Sequence, residues 1–397
     1  MKKRFFCAAL AAVLTIFPLC IPASAETEPR EFAYAGADPV SYLEEFVTEC
    51  PKREAGTSGE LAAAEFLARK YEEFGFRAYA EDGEMIQPFT FRSVSSRNVL
   101  AVKPMEGKEF SDPATKIVVL SAHMDNAAKE MPEGYQGAYD NGSGVATLLA
   151  VAENLKDVDL PFHVLFANFG AEEPGMYGSQ AFMEGFLGRV SRVLLEVNFD
   201  VVGGGEHLYL YTDEVKSSYD TYIRRIAQKL GVSIADNPKN KKVLLSGMGK
   251  FPYTHVGMMS DNSVFMARGV PCAFLFSYDW GNPALGITEG NGAKVMHSPD
   301  DNLSHLNANY RLHMRSASAL VSELLKDGEF IKEMTNIEMW DYSALLSRGL
   351  ALGLYLGLIL LGAVFVVIKY FRLKNPPSAP PDPEKPEEKR KVFDDFE

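Results

Sequence analysis

Strongly apolar segments with strand character alternate with helical segments through most of this 397-residue chain. The clearest strand is TKIVVLSAH, residues 115–123, which has no polar residue between Lys116 and Ser121. Further strands are predicted at 97–104, 162–169, 192–199 and 270–277, and helices at 58–76, 142–156, 179–186 and 307–331. Strands that are apolar on both faces are typical of a parallel sheet covered by helices. The alternation therefore predicts an α/β fold with a largely parallel, buried sheet.

Histidine and acidic residues follow four of these predicted strands, at the point where each strand ends. They are His123, the adjacent pair Glu172 and Glu173, Asp200 and, in the loop after strand 270–277, His297. Sites in open α/β sheets lie beyond the carboxyl ends of the strands. Chance can supply one or two such coincidences, so four of them predict a shared site.

A histidine, an aspartate and a glycine-rich turn follow the strand at 115–123. Asp125 comes two residues after His123, where it is well placed to hold the second nitrogen of the imidazole. Asp140 precedes the turn Asn141–Gly144, whose glycines let the backbone approach closely and begin a helix. A carboxylate on such a tightly shaped turn can bridge two metal ions.

The residue types at these strand ends suit two divalent metal ions. Such ions take carboxylate and imidazole ligands, and a catalytic site leaves one coordination position open. Each ion can take one histidine and one further carboxylate while both ions share the bridging carboxylate. The predicted ligands are His123, Asp140, Glu173, Asp200 and His297.

The pair Glu172 and Glu173 lies in a predicted turn, GAEEPGMYGS. Because successive side chains point in different directions, Glu173 can bind a metal ion while Glu172 faces the reacting water as a general base.

Five motifs, AHMD, GAYDNGSGVA, AEEPGMYGS, NFD and HSPDDN, occur in this order along the chain. They resemble the ordered motifs of the co-catalytic dizinc aminopeptidases of peptidase clan MH, of the aminopeptidase S and vacuolar aminopeptidase Y type. The resemblance covers roughly residues 50–325. It implies a zinc exopeptidase fold, a phosphorylase/hydrolase-like three-layer sandwich with a central, mostly parallel mixed sheet. It also implies release of N-terminal amino acids from peptides that have a free N-terminus.

The resemblance further implies two Zn²⁺ ions per chain, with roles carried over by position. His123 and Asp200 would bind one ion, Glu173 and His297 the other, and Asp140 would bridge them.

The predicted catalytic residues are Glu172 and Asp125. The resemblance implies that Glu172 acts first as the base and then as the acid that protonates the leaving amine, whereas the support that Asp125 gives to His123 is expected from its spacing. The family often has S-D-H where this chain has Ser260-Asp261-Asn262. This departure bears on specificity and rate more than on metal binding.

Two other functions are compatible with parts of the pattern. A single-zinc glutaminyl cyclase of the same fold is one, and the turn YDNGSGVA argues against it. A non-catalytic receptor or peptide-binding ectodomain is the other, and the presence of Glu172 together with all five ligands argues against that. The preferred N-terminal residue, the choice among aminopeptidase, dipeptidase and carboxypeptidase, and the oligomeric state stay open.

The N-terminal 25 residues have the composition of a secretory signal peptide. Lys2-Lys3-Arg4 precede an apolar run from Phe5 to Ile21, and Ala23-Ser24-Ala25 form the cleavage signal. An uncleaved N-terminal anchor is the alternative.

A second apolar run near the C-terminus predicts a transmembrane helix. Residues 349–368 carry no charge, and a helix of this length spans about 30 Å, the thickness of a bilayer's hydrocarbon core. Lys369, Arg372 and Lys374 follow at once, which favours a cytoplasmic C-terminus. The tail, 369–397, is rich in proline and charge and is predicted to be disordered.

These segments predict a single-pass type I membrane protein whose metallopeptidase domain, residues 26–340, is extracytoplasmic. Two glycosylation sequons, at Asn141 and Asn302, lie inside the motifs and favour a bacterial cell surface.

Charge and cysteine content exclude some classes of protein. Loss of Lys2, Lys3 and Arg4 with the signal peptide reduces the 40 Lys+Arg to 37, against 53 Asp+Glu. So acidic a chain argues against a nucleic-acid partner. After loss of the signal peptide the cysteines that remain are Cys50 and Cys272, which are too few for a disulfide scaffold or a thiolate metal site. Whether they pair stays open at this stage.

Overall fold

The computed structural model describes residues 32–212, 217–236, 260–278, 295–306 and 308–336. The predicted signal peptide, transmembrane segment and tail, at 1–25, 349–368 and 369–397, lie outside the described residues. Within the described ranges, no helix has both the length and the apolar character that crossing a membrane requires.

Nine strands form one sheet in the described part of the chain. They are β1 (Arg77–Ala78), β2 (Ile86–Phe91), β3 (Val94–Lys103), β4 (Ile117–His123), β5 (His163–Phe169), β6 (Val193–Phe199), β7 (His207–Thr212), β8 (Ala235–Asp236) and β9 (Cys272–Tyr278). The helices are α1 (Pro39–Glu49), α2 (Ser58–Glu73), α3 (Ser143–Leu155), α4 (Tyr177–Phe186), α5 (Ser217–Leu230), α6 (Asn262–Met266), α7 (Tyr310–Lys326) and α8 (Gly328–Asn336).

The sheet is mixed, with a parallel centre. Its order is β1-β3-β5-β4-β6-β9-β7-β8, and β2 pairs with β3 outside this path. The four central strands β5, β4, β6 and β9 run parallel, and antiparallel strands β3 and β7 flank them. The predicted α/β fold with a central, mostly parallel mixed sheet is confirmed.

Helices cover both faces of the sheet because the central strands are apolar on both sides. Every residue of β4 is buried, and Ile117 and Val119 pack in a cluster with Phe182 and Phe186 of α4. Side chains alternate along a strand, so Val118 and Leu120 point to the opposite face. There α3 lies against β4 and packs with α1 and α7. This packing fixes the C-terminal ends of β4, β5 and β6 at one edge.

The prediction of one continuous C-terminal helix over residues 307–331 was wrong. The chain forms α7 and α8 instead, with Asp327 between them in an extended conformation. The Asp327 carboxylate accepts a hydrogen bond from the Phe330 amide at 2.9 Å and so begins a second helix.

The surroundings of three buried side chains show what each of them does in the fold. His163 in β5 is fully buried and bonded to the Met105 amide and to Thr115, at 2.9 and 3.0 Å, so it is a satisfied core residue. Cys50 and Cys272 are both buried and free, so they do not form a disulfide in this structure.

Candidate metal centre

The first of two ligand clusters forms where β4 and β6 end. His123 is the last residue of β4, and its side chain is only 1% exposed. Its Nε2 lies 3.2 Å from Oδ1 of Asp140 and 3.1 Å from Oδ1 of Asp200, the residue after β6. Three side chains that are distant in sequence thus converge on one point.

The second cluster uses the other oxygen of Asp140. Nε2 of His297 lies 2.9 Å from Asp140 Oδ2 and 2.9 Å from Glu173 Oε2. In each cluster the three ligand atoms all lie within 4.8 Å of one another. The structure therefore brings together all five predicted ligand side chains, with Asp140 between the two histidines.

The turn that carries Asp140 is tied to β6 by the side chain of Asn141. The Asn141 Nδ2 donates to the Phe199 carbonyl at 2.9 Å, and its Oδ1 accepts from the amides of Gly144 and Val201 at 2.9 and 3.2 Å. A Cβ at Gly144 would lie 2.4 Å from the Phe199 carbonyl oxygen, so only glycine permits this approach. Asn141 thus holds the turn that carries Asp140 against the end of β6, next to Asp200.

Asp125 has a second set of contacts besides those predicted from its spacing. Nδ1 of His123 lies 3.2 Å from the Asp125 carbonyl oxygen and 3.7 Å from its carboxylate. The carboxylate also accepts the backbone amides of Glu172 and Glu173, at 2.9 and 3.2 Å. Asp125 therefore links the His123 imidazole with the turn that carries both glutamates.

The clusters hold an excess of buried negative charge. Burial and the nearby Asp140 carboxylate raise the pKa of Glu173 to about 7, although His297 opposes this rise. Hydrogen bonds to Asp140 and Glu173 raise the pKa of His297 to about 11. Burial alone would lower the pKa of His123, but the Asp200 charge and the bonds to Asp125, Asp140 and Asp200 raise it. The imidazoles therefore sit where positive charge is strongly favoured.

The side chains present fit two divalent metal ions. Imidazole nitrogens and carboxylate oxygens are the donors that zinc accepts. Oε1 of Glu173 is buried without a hydrogen-bond partner among the described residues, and a buried carboxylate oxygen of this kind needs a cation or a donor. Each cluster supplies three ligands, the number that catalytic zinc sites take from the protein.

Glu172 lies on the same turn and is half-buried. Burial raises the pKa of its carboxyl well above the usual range, and Asp261 and Asp200 add to this effect while His123 opposes it. Asp261 is itself fully buried and bonded to Ser179 Oγ at 2.5 Å. A carboxyl in such an acidic, desolvated environment holds a proton more tightly than one in water.

Arg53 and Asp301 are, like Asp261, buried charged residues of this region that are missing from the predicted site. Arg53 is fully buried and donates to the carbonyls of Met124, Gln136 and Gly137 at 2.7, 2.8 and 3.0 Å. Asp301 is also fully buried, behind the Asp140 turn. Asp301 belongs to the motif HSPDDN, and this motif was the signal that could have added it to the predicted site. For Arg53, no feature of the neighbouring sequence indicates its contacts.

The chain matches known peptidases in sequence. Residues 98–322 match the family described as Peptidase family M28. Aminopeptidase YwaD of Bacillus subtilis (strain 168) is 27% identical over 222 residues, which are 54% of this chain and 42% of YwaD. The chain thus spans less than half the length of that relative.

Solved structures with this fold include enzymes of more than one kind. BSAP, a zinc aminopeptidase from Bacillus subtilis, has a TM-score of 0.55 at 18% identity, with 74% of this chain and 95% of BSAP covered. The glutaminyl cyclase of Porphyromonas gingivalis has a TM-score of 0.51 at 19% identity, with 74% and 99% covered. At these identities the likeness shows the fold. The sequence match covers more than half of the chain, and this chain therefore belongs to peptidase family M28.

Proposed function

We propose that this protein is a metallo-aminopeptidase that holds two zinc ions and releases N-terminal amino acids from peptides. The observation that carries the proposal is the position of Asp140, which directs one carboxylate oxygen towards each histidine, at 3.2 Å from His123 and 2.9 Å from His297. A single carboxylate shared by two clusters is the arrangement that a two-metal site needs. Membership of peptidase family M28 supports a reaction at a peptide bond.

Five side chains would hold the ions. His123 and Asp200 would bind one, Glu173 and His297 the other, and Asp140 both. When bound, zinc supplies Lewis acidity, because it polarises a carbonyl oxygen and makes a water molecule more acidic.

Glu172 would perform the proton transfers. Its carboxylate would accept a proton from the attacking water and later donate a proton to the amine that leaves. A raised pKa suits both tasks, since a general base is most effective when its pKa is close to the working pH. The Asp125 carboxylate accepts a hydrogen bond from the Glu172 amide at 2.9 Å. This bond fixes the backbone from which the Glu172 side chain extends.

The position of the enzyme in the cell is also a proposal. The predicted signal peptide at 1–25 and the apolar segment at 349–368 support a type I membrane protein with the peptidase domain, 26–340, outside the cytoplasm. The tail, 369–397, would lie in the cytoplasm.

The test combines metal content with substrate choice on the purified full-length protein. Peptides with free and with blocked N-termini are assayed with and without chelator, and zinc per chain is counted. Two zinc ions per chain, together with chelator-sensitive release of the first residue from free-amine peptides alone, are expected. One ion with cyclisation of N-terminal glutamine would instead identify a glutaminyl cyclase, and neither metal nor turnover would indicate a binding protein.

A further inference from the structure

Asp301 holds the backbone of the turn that carries Asp140. Its Oδ1 accepts the Tyr139 amide at 2.7 Å, and its Oδ2 accepts the Asp140 amide at 3.1 Å. Its own carbonyl oxygen accepts the amides of Gln136 and Gly137, both at 3.0 Å. One buried residue thus satisfies four backbone donors in the segment just before the shared carboxylate.

The same residue closes the short loop that carries His297. The Asp301 amide donates to the Ser298 carbonyl at 3.1 Å. Ser298 in turn donates through its amide and its hydroxyl to the Val295 carbonyl, at 3.2 and 2.8 Å. Asp301 lies only four residues after His297. Its hydrogen bonds to the Asp140 turn therefore also set the distance between Asp140 and His297.

The two ligand clusters depend on the hydrogen bonds of Asp301 to different degrees. His123 ends a fully buried strand, and its side chain is 1% exposed. His297 lies in a loop, has a φ of 54°, and keeps 49% of its side chain exposed. Strand pairing holds the first histidine, whereas the second relies on the contacts of its own loop.

We propose that Asp301 is a positioning residue that couples the two metal positions: it fixes the Asp140 turn against the His297 loop, and the Glu173–His297 position binds its ion tightly only while this anchor is intact. The inference rests on the proposed function, since it takes the five side chains as metal ligands. Asp125 offers a parallel within the same site, because its carboxylate accepts the two successive amides of Glu172 and Glu173.

The test is a metal titration of the full-length protein after chelator treatment. Zinc binding is followed by calorimetry, and cobalt binding by its visible absorption, which reports the ligand geometry of each position. In D301N an amide nitrogen replaces one of the two acceptors and faces a backbone donor. We expect the first equivalent to bind as in the wild type and the second to bind about 10–100-fold more weakly, with an altered cobalt spectrum. The matched control is D300N, at a position whose side chain is 65% exposed, and both equivalents should bind normally there.

Two results with D301N would overturn the inference. One is wild-type affinity for both equivalents, and the other is an equal loss of both, which would make Asp301 a general structural residue. A wild-type protein that binds fewer than two ions would instead overturn the ligand assignment, and the inference with it.

If D301N does not fold, hydrogen exchange on the wild-type protein decides the question. The amides of Tyr139 and Asp140 and those of Ser298, Asp300 and Asp301 should gain protection together at the second metal equivalent. Separate protection of the two segments, or none, would contradict the coupling.

Discussion

The carboxylate of Asp125 accepts a hydrogen bond from the backbone amide of Glu172 at 2.9 Å. The same carboxylate accepts the Glu173 amide at 3.2 Å, and the Asp125 carbonyl lies 3.2 Å from Nδ1 of His123. One buried aspartate therefore links a proposed ligand of each metal ion with the proposed base. Changes at Asp125 should affect metal binding and proton transfer at the same time.

Asp125→Asn should lower kcat/KM about 10–100-fold and weaken zinc binding by a similar factor. The amide can accept one of the two backbone donors, but its nitrogen faces the other. Peptidase kinetics and zinc calorimetry measure the two effects. Asp159→Asn, at an exposed position, is the control and should leave both unchanged. Normal zinc affinity with reduced turnover would show that Asp125 acts on the base alone.

Glu172→Gln should retain both zinc ions and lose about 10²–10⁴-fold in kcat. Glutamine fills nearly the same volume but cannot accept a proton. Metal content by mass spectrometry and kcat with a free-amine peptide measure the two quantities, and Glu184→Gln, at an exposed position, is the matched control. Near-wild-type turnover would exclude Glu172 as the base.

Much of the fold was predictable because the central strands are continuous apolar runs. The predicted strand at 162–169 and the observed β5, His163–Phe169, differ by one residue. The five proposed ligand side chains could be named from sequence for a related reason. Four of them follow strands that end at the same edge, and Asp140 lies on a glycine-rich turn.

The contacts that hold the site together were harder to predict. Arg53 donates to the Gln136 carbonyl, 83 residues away, and Asp301 accepts the Tyr139 amide, 162 residues away. Such bonds end on backbone atoms that every residue carries, so the identity of the partner residue gives no signal. The missed helix α1 is different, because Asp38 and Pro39 form its N-terminal cap and first turn and were visible in the sequence.

Arg53→Lys should lower the free energy of unfolding by about 3 kcal/mol or more, since each buried carbonyl left unsatisfied costs about 1–3 kcal/mol. The guanidinium also donates to the Cys50 carbonyl at 2.8 Å, and a lysine ammonium cannot reach the same four acceptors. Denaturant unfolding of the metal-free protein isolates this effect from metal binding. Arg69→Lys, whose side chain is 57% exposed, is the control. Equal stability of Arg53→Lys and wild type would contradict the role given to the guanidinium.

His313 should make the protein less stable in mild acid. Burial lowers the pKa of its imidazole to about 4, and the nearby His207 adds to this effect, while the Gly204 carbonyl, 3.1 Å from Nδ1, opposes it. In the unfolded chain the pKa of histidine is about 6.5. The unfolded state therefore binds the proton more readily. The stability that the neutral ring contributes is fully present above about pH 6.5 and is lost as the pH falls towards 4, by up to about 1.4 kcal/mol per pH unit.

The measurement is the free energy of unfolding of metal-free protein at several pH values in this window. His313→Asn should flatten the dependence relative to the wild type, even if it lowers stability at neutral pH, because the group that must gain a proton has been removed. His305→Asn is the control, since the His305 side chain is 52% exposed, and it should keep the wild-type slope. Parallel pH profiles for His313→Asn and wild type would mean that groups other than His313 account for the whole acid dependence.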